Sequence, residues 1–299
     1  MSAHRSGYVA IVGRPNVGKS TLLNRLLGQK ISIVSHRPQT TRNKVVGLLN
    51  RDDLQAVFVD TPGIHEAHKL LNEKMVEAAW AATRDVDLIL LLIEADVDTD
   101  PARFDAGILE RLKGSSCPVL LVPNKIDKVT KHSLLPLIAA WSEALEPAAI
   151  VPVSALKGDG DDMLIAAIEE RLPEGPAWYP KDQLTVATER FVVAELIREQ
   201  LFHQLEQELP YATAVEIEEF KEGKTVKIMA RIWVERDSQK GIVIGKQGSR
   251  LKEIGTRSRE QIQRLLGCKV YLQLTVGVDP KWTTRKSSVR KLGWFGEES

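Results

Sequence analysis

Cysteine is scarce in this chain: two residues in 299, Cys117 and Cys268, far apart and outside any paired motif. That scarcity excludes a disulfide framework and a thiolate zinc site, and it suits the reducing cytoplasm. Long apolar runs are missing as well. The longest, LILLLI at 88–93, stops at Glu94, well short of the ~18 residues that suggest a membrane-spanning helix. No apolar signal region precedes the first motif, so no leader is expected. His65 and His68 lie close together without further ligands nearby, which leaves no metal cluster to read. Internal repeats and low-complexity tracts are absent, and the net charge is only +1.

What is present is organised in two halves. A chain of 299 residues exceeds the usual size of one domain, so two compact units are expected. The small net charge hides an asymmetry: residues 1–180 carry 20 basic and 23 acidic side chains, whereas residues 181–299 carry 21 and 17. Between Asp237 and Lys291 the count is 13 basic to 4 acidic, which points to a polyanionic partner for the second half. The first half alternates apolar strands, at 8–12, 44–49, 55–59, 88–93, 119–122 and 150–153, with helical stretches such as 70–82 and 163–171. That alternation predicts an α/β unit with a mainly parallel sheet and helices on both faces. LPEGPAWYP then brings Pro173, Pro176 and Pro180 within eight residues and opposes a continued helix. The expected organisation is therefore a first domain at 1–172, a linker at 173–184, a second domain at 185–280 and a basic tail at 281–299.

GRPNVGKST follows the strand YVAIV and opens a helix, the setting that a phosphate-binding loop requires. Its backbone amides turn inward on a phosphate chain, Lys19 reaches the terminal phosphates, the Ser20 hydroxyl suits magnesium, and the positive helix end favours the same anion. The stretch assigned to nucleotide contact is Gly13, Arg14, Pro15, Asn16, Val17, Gly18, Lys19, Ser20 and Thr21. NKID, formed by Asn124, Lys125, Ile126 and Asp127, follows the strand PVLLVP. The Asp127 carboxylate accepts from both the ring N–H and the exocyclic amino group of guanine, a donor pair that adenine lacks, and leaving it unpaired would be costly. SAL, formed by Ser154, Ala155 and Leu156, offers a backbone donor to the base oxygen. Between them lies DTPG, where Asp60 holds magnesium through water and the Gly63 amide senses the γ-phosphate, with Thr61 and Pro62 completing the turn. The polar stretch KISIVSHRPQTTRNK shows no sustained period and reads as the mobile segment that closes over that phosphate. Thr41 is its candidate magnesium ligand, with Thr40 as the alternative. Together these elements resemble the guanine-nucleotide-binding domain of the translation-factor-like GTPases.

Two departures from the Ras-type pattern bear on turnover. Ile64 stands where Ras-type proteins place a Gln, and it cannot orient a water. Hydrolysis is therefore slow or uses another group. GTPases similar to this one that lack the Gln often use an Asn of the loop as a potassium ligand, a role open to Asn16 beside that of a simple loop hydrogen bond. Turnover is thus assigned to Lys19, Asn16, Thr41 and Gly63, and metal binding to Ser20, Thr41 and Asp60, with GTP or GDP, Mg2+ and optionally K+ as cofactors.

In the second half, ERFVVAELIREQLFHQL places Val193, Leu196, Ile197, Leu201 and Leu205 on one helical face. KTVKIMARIWVER alternates Val226, Ile228, Ala230, Ile232 and Val234 with polar or larger partners, as a half-buried strand requires. VIGKQGSRLKEIG holds Gly245, Lys246, Gln247 and Gly248 between two helical segments. Glycines there let the backbone approach a sugar-phosphate chain while Lys246 meets phosphate, with Arg250 close by; Ile242 and Ile244 line the groove for bases or else pack in the core. An αββααβ order with such a loop resembles a KH module. The whole chain, a P-loop GTPase domain followed by a KH domain, resembles the Era GTPases of bacteria. That resemblance implies a KH domain of type II, binding to the 3′ end of small-subunit (16S) ribosomal RNA, a role in small ribosomal subunit assembly, and peripheral association with the inner membrane surface, for which KWTTRKSSVRKLGWF has suitable charge. A monomer is expected. The competing functions are an RNA-binding module with a structural nucleotide and a membrane-surface signalling GTPase.

Overall fold

The computed structural model describes residues 4–35, 37, 45–60, 85–98, 100–104, 106–280 and 282. It divides into two compact units, Met1–Ser32 with Lys44–Val186, and Ile33–Asn43 with Ala187–Ser299. The first contains strands β1 (Arg5–Gly13), β2 (Val45–Asn50), β3 (Leu54–Asp60), β4 (Leu88–Glu94), β5 (Val119–Asn124) and β6 (Ala149–Ile150) in one sheet of order β2-β3-β1-β4-β5-β6. Only β2 runs antiparallel to its neighbour. Every residue of β3 and β5 is buried, the pattern of strands covered on both faces. Helices α1 (Lys19–Leu27), α2 (Ala106–Lys113), α3 (Lys131–Leu145) and α4 (Asp161–Arg171) belong to this unit. On one face Phe104, Ile108, Leu137 and Trp141 pack against Ala10, Val12, Leu91 and Ile93. The helix expected at 70–82 lies outside the described residues.

Parallel pairing positions the site. Because β1, β3, β4 and β5 run the same way, their last residues, Gly13, Asp60, Glu94 and Asn124, all fall at one edge of the sheet. Glu94 pairs directly with Asn124 across β4 and β5. Ligands of open α/β sheets bind beyond such carboxyl ends.

The proline-rich stretch after α4 is grouped with the first unit and is bonded along it. Proline lacks a donor but keeps its carbonyl, and here those carbonyls are used: Ser6 N–H donates to Pro173 O at 3.0 Å and Ser6 Oγ to Pro176 O at 2.8 Å. Gln55, 1% exposed, accepts from Trp178 N–H at 2.6 Å and Tyr179 N–H at 3.0 Å while its amide donates to Tyr179 O. Tyr8 stacks on Trp178 with ring centroids 4.8 Å apart, and Leu48 N–H donates to Leu184 O. The hydroxyl of Tyr179 and burial push the Tyr8 phenol up to about 12. What composition marks as a linker is a strap laid on the sheet.

The second unit contains α5 (Glu189–Gln204), β7 (Ala214–Lys221), β8 (Thr225–Val234), α6 (Asp237–Ile244), α7 (Ser249–Leu266) and β9 (Lys269–Val278). Strand β8 is central, antiparallel to β7 and parallel to β9. Its alternate residues Val226, Ile228, Ala230, Ile232 and Val234 are buried against α5 and α7, with Val193, Leu196, Ile197 and Leu201 in the same core. Parallel strands need a crossover, and α6 and α7 supply it, so residues 245–248 sit at the corner between them. Helix α5 departs from a simple amphipathic helix. Glu195, Arg198, Glu199 and Gln200 are buried too, because Arg198 forks onto Glu195 at 2.7 and 2.5 Å and Glu199 accepts Val34 N–H at 2.8 Å. Trp282, at the start of the expected tail, is fully buried, with Nε1 donating to Ala212 O.

Gln55→Leu should cost the first unit about 2 kcal/mol in urea unfolding, because two part-buried amides of the strap lose their acceptor, and limited proteolysis should then cut between 173 and 186 sooner than in the parent protein.

Candidate functional site

The loop after β1 reverses sharply, with positive φ at Gly13, Asn16 and Gly18. Gly18 is required on two counts: its φ is 106°, and a Cβ there would lie 2.3 Å from the Asn124 side chain. Helix α1 begins at Lys19 with no side-chain cap, and its positive end favours an anion at this edge. Pro15 and Thr21 are half-buried, Asn16 is exposed, and Val17 is buried with its carbonyl accepting Asn124 Nδ2 at 2.8 Å.

Lys19 is buried, and its ammonium donates to Gly13 O and Arg14 O, each at 3.0 Å. Burial lowers its pKa to about 8, although the Asp60 carboxylate works against that shift. Asp60 is fully buried and shifts the other way: burial raises its pKa, opposed by the charge of Lys19 and by hydrogen bonds from Ser20 and Ser32. Both hydroxyls donate to Oδ2 at 2.8 Å, while Oδ1 is buried with no hydrogen-bond partner among the described residues. An orphaned carboxylate oxygen beside a serine hydroxyl fits a hard cation, so Ser20 and Asp60 suit magnesium. Thr40, Thr41, Thr61, Pro62, Gly63 and Ile64 lie outside the described residues.

At the base end, Asn124 is buried and bridges two loops, donating to Val17 O and accepting Ala155 N–H at 3.0 Å. The Ala155 amide, a candidate donor to the base oxygen, is thus engaged with Asn124 here. Asp127 is exposed and accepts the buried Ser154 hydroxyl at 2.6 Å, which holds its carboxyl below the usual range. Ile126 packs against the core, Leu156 is exposed, and Lys125 adopts φ 66° with its ammonium 2.6 Å from Glu94. Arg14 does not turn its guanidinium to the phosphate loop. Its Nη1 donates to Asp98 at 2.5 Å and its Nη2 to Arg103 O at 2.8 Å.

Four residues of this edge escaped sequence reasoning: Asn24, Ser32, Glu94 and Asp98. The Asn24 carboxamide accepts Ile31 and Ser32 N–H, both at 2.9 Å, and donates to Ser32 O. Ile31, Ser32 and Ile33 are consequently buried, so the start of the stretch read as mobile is a fixed turn. No local pattern marks it, since the anchor lies seven residues upstream on α1.

In the second unit, the loop between α6 and α7 has positive φ at Gly245, Gln247 and Gly248. A Cβ on Gly248 would meet nothing within 4 Å, so its φ of 76° and its open side explain the glycine. Lys246 and Gln247 are exposed, Arg250 Nη1 donates to Ile242 O at 2.8 Å, and α7 starts without a side-chain cap. Ile242 is 49% exposed, Ile244 is half-buried, and Val243 is the residue of α6 that fills the core. An exposed isoleucine beside a helix start with no side-chain cap and a glycine loop suits a nucleotide: base on apolar surface, phosphate beside the loop and Lys246.

Lys19→Met gives a stability test with a definite sign. A lysine with a folded pKa near 8 and an unfolded one near 10.5 destabilises the ligand-free fold, by about 3 kcal/mol at one unit per 1.36 kcal/mol. That cost is fully present below pH 8 and fades as pH rises toward 10.5, so the parent protein should gain stability over this window. Lys19→Met should be more stable than the parent in urea at pH 7, flat across the window, and no longer stabilised by GDP.

Comparison with known proteins places this geometry. Residues 8–125 match the family model of a 50S ribosome-binding GTPase, and residues 208–283 match that of a KH domain. GTPase Era of Geobacter metallireducens is 50% identical over 293 residues, covering 97% of this chain and 98% of that one. Among solved structures, a variant of Aquifex aeolicus Era bound to GDP and AlF4− superposes with a TM-score of 0.92 at 43% identity, covering 97% of this chain and 99% of that one. Era in complex with MgGDPNP and nucleotides 1506–1542 of 16S ribosomal RNA superposes equally well, with a TM-score of 0.92 at 42% identity and the same coverage. With half its residues shared along nearly the full length of both sequences, this chain belongs to the Era GTPase family.

Proposed function

We propose that this protein is a GTP-hydrolysing switch that binds the 3′ end of 16S ribosomal RNA and assists assembly of the small ribosomal subunit. The observation that carries this reading is the pairing, in one chain, of a guanine-nucleotide edge with a backbone clamp for single-stranded RNA, in a family whose member has been solved with both ligands. In the first unit Asp127 receives the guanine donors, Lys19 turns from the loop carbonyls to the terminal phosphates, and Ser20 and Asp60 hold the metal. Magnesium, when bound, neutralises charge on the phosphates. In the second unit Lys246 and the backbone of the Gly245–Gly248 loop meet RNA phosphate, and Ile242 meets a base.

The chain path supports coupling between the two activities. It leaves the first unit at Ser32, whose hydroxyl is on Asp60, and enters the second at Ile33, next to Val34, whose amide is on Glu199. A change at the metal ligand therefore acts on a segment whose following residue is tied to α5. Among the described residues no helix is long and apolar enough to cross a membrane. Work on ribosomal RNA implies the cytoplasm. Arg285, Lys286, Arg290 and Lys291 suit anionic lipid as well as RNA, so peripheral contact with the inner membrane surface is part of the proposal.

Affinity for an RNA of nucleotides 1506–1542, measured by fluorescence anisotropy, should be higher with a non-hydrolysable GTP analogue than with GDP; equal affinity would remove the switch. Gly248→Asp should weaken that binding roughly tenfold, about 1.4 kcal/mol, while GTP turnover without RNA stays unchanged. Potassium should raise turnover above that in sodium, with Asn16→Ala abolishing the difference; equal rates in the two salts would exclude Asn16 as a cation ligand.

A further inference from the structure

We infer that Arg14 and Asp98 are a positioning pair for the phosphate loop, and that the turn at 94–98 sets the spacing between the phosphate and base ends of the nucleotide site. The inference rests on the nucleotide reading above and deepens it. A cation inside a phosphate loop invites assignment as a phosphate ligand, yet the Arg14 guanidinium faces the loop after β4. Its Nη1 donates to Asp98 Oδ1 at 2.5 Å, its Nη2 to Arg103 O at 2.8 Å, and its Cζ lies 4.6 Å from the centre of the Phe104 ring. Asp98 is itself fixed. It is 4% exposed, Oδ2 accepts Glu94 N–H at 2.9 Å, and its carbonyl accepts Trp141 Nε1 at 2.8 Å from the core of α3.

Two consequences follow from chemistry. The Arg14 carbonyl is one of the two that hold the Lys19 ammonium, so the position of Arg14 sets where that charge waits. At the other end of the same turn, Glu94 accepts the ammonium groups of Lys125 at 2.6 Å and Lys128 at 3.2 Å. Burial alone would raise the Glu94 pKa, but these lysines hold it below the usual range, so the carboxylate stays charged. One short turn thus grips the phosphate loop through Asp98 and the base motif through Glu94, and Asp98 binds the amide of Glu94 itself. A carboxylate buried against a forked guanidinium is held in one geometry, and losing either partner leaves the other poorly satisfied.

The test compares GDP with GMP, which lacks the β-phosphate that the loop receives. Arg14→Met, Asp98→Asn and the double variant are titrated with fluorescent GDP and then with competing GMP. Each single variant should lose about tenfold in GDP affinity, with GMP affinity little changed, and the double should be no weaker than the singles, as expected of one coupled unit. Arg14→Lys, which keeps the charge without the fork, should recover part of the loss. Should Asp98→Asn not fold, the half-exposed Arg14 variants carry the test alone. Unchanged GDP affinity in Arg14→Met, equal losses for GDP and GMP, or losses that multiply to about a hundredfold in the double would each overturn the pair. A parent protein that fails to bind GDP would overturn the nucleotide reading itself.

Discussion

Lys19 and Asp60 are two opposite charges that the sheet edge holds out of water, and most of the first unit's design turns on them. Burial works against both, driving the lysine toward its neutral form and the carboxylate toward its acid, while each charge favours ionisation of the other. In the ligand-free arrangement the ammonium is satisfied by loop carbonyls, and one oxygen of Asp60 has no hydrogen-bond partner among the described residues. Such an edge is completed by what it lacks: negative oxygen for the lysine, a cation for the aspartate. On the function proposed above, GTP with its metal supplies both, and the same burial that destabilises the free protein becomes the source of affinity.

Supporting contacts converge on keeping that pair in register. Asn124 joins the phosphate loop to the base loop by one carboxamide, Asn24 and Ser32 fix the turn that reaches Asp60, and Asp98 restrains Arg14. Each is a short polar side chain that satisfies backbone groups or charges which would otherwise be buried unpaired, so each is fixed by geometry before any nucleotide arrives.

These contacts also explain what could be read from the sequence and what could not. The glycine loop, the apolar strands, the NKID and SAL motifs and the alternation of β8 are local patterns, and local patterns survive in a linear text. Asn24 with Ser32 and Arg14 with Asp98 are single polar residues whose meaning depends on a partner elsewhere, and no periodicity announces them. The stretch at 173–184 is legible as a helix stop and linker, whereas its bonds to the first unit are not, because composition shows missing donors but not the carbonyls that Ser6 uses. Helix α5 misled for a related reason. Its apolar face was visible, while the burial of Glu195, Arg198 and Glu199 came from an ion pair on the helix and from an amide 165 residues away.

The two units recognise phosphate by opposite means. The nucleotide edge uses buried, pre-aligned charges in a low-dielectric setting, where salt screens little and a misplaced group costs heavily. The loop at 245–248 offers a surface lysine beside an exposed isoleucine, groups that on the function proposed above accept many sequences and are strongly screened. A deep site suits a ligand that must be held and chemically transformed; an open one suits a strand that must be gripped and released. Ser32 and Val34 are bonded on either side of the crossing between units, so on the function proposed above release at the nucleotide edge has a covalent route to the RNA loop.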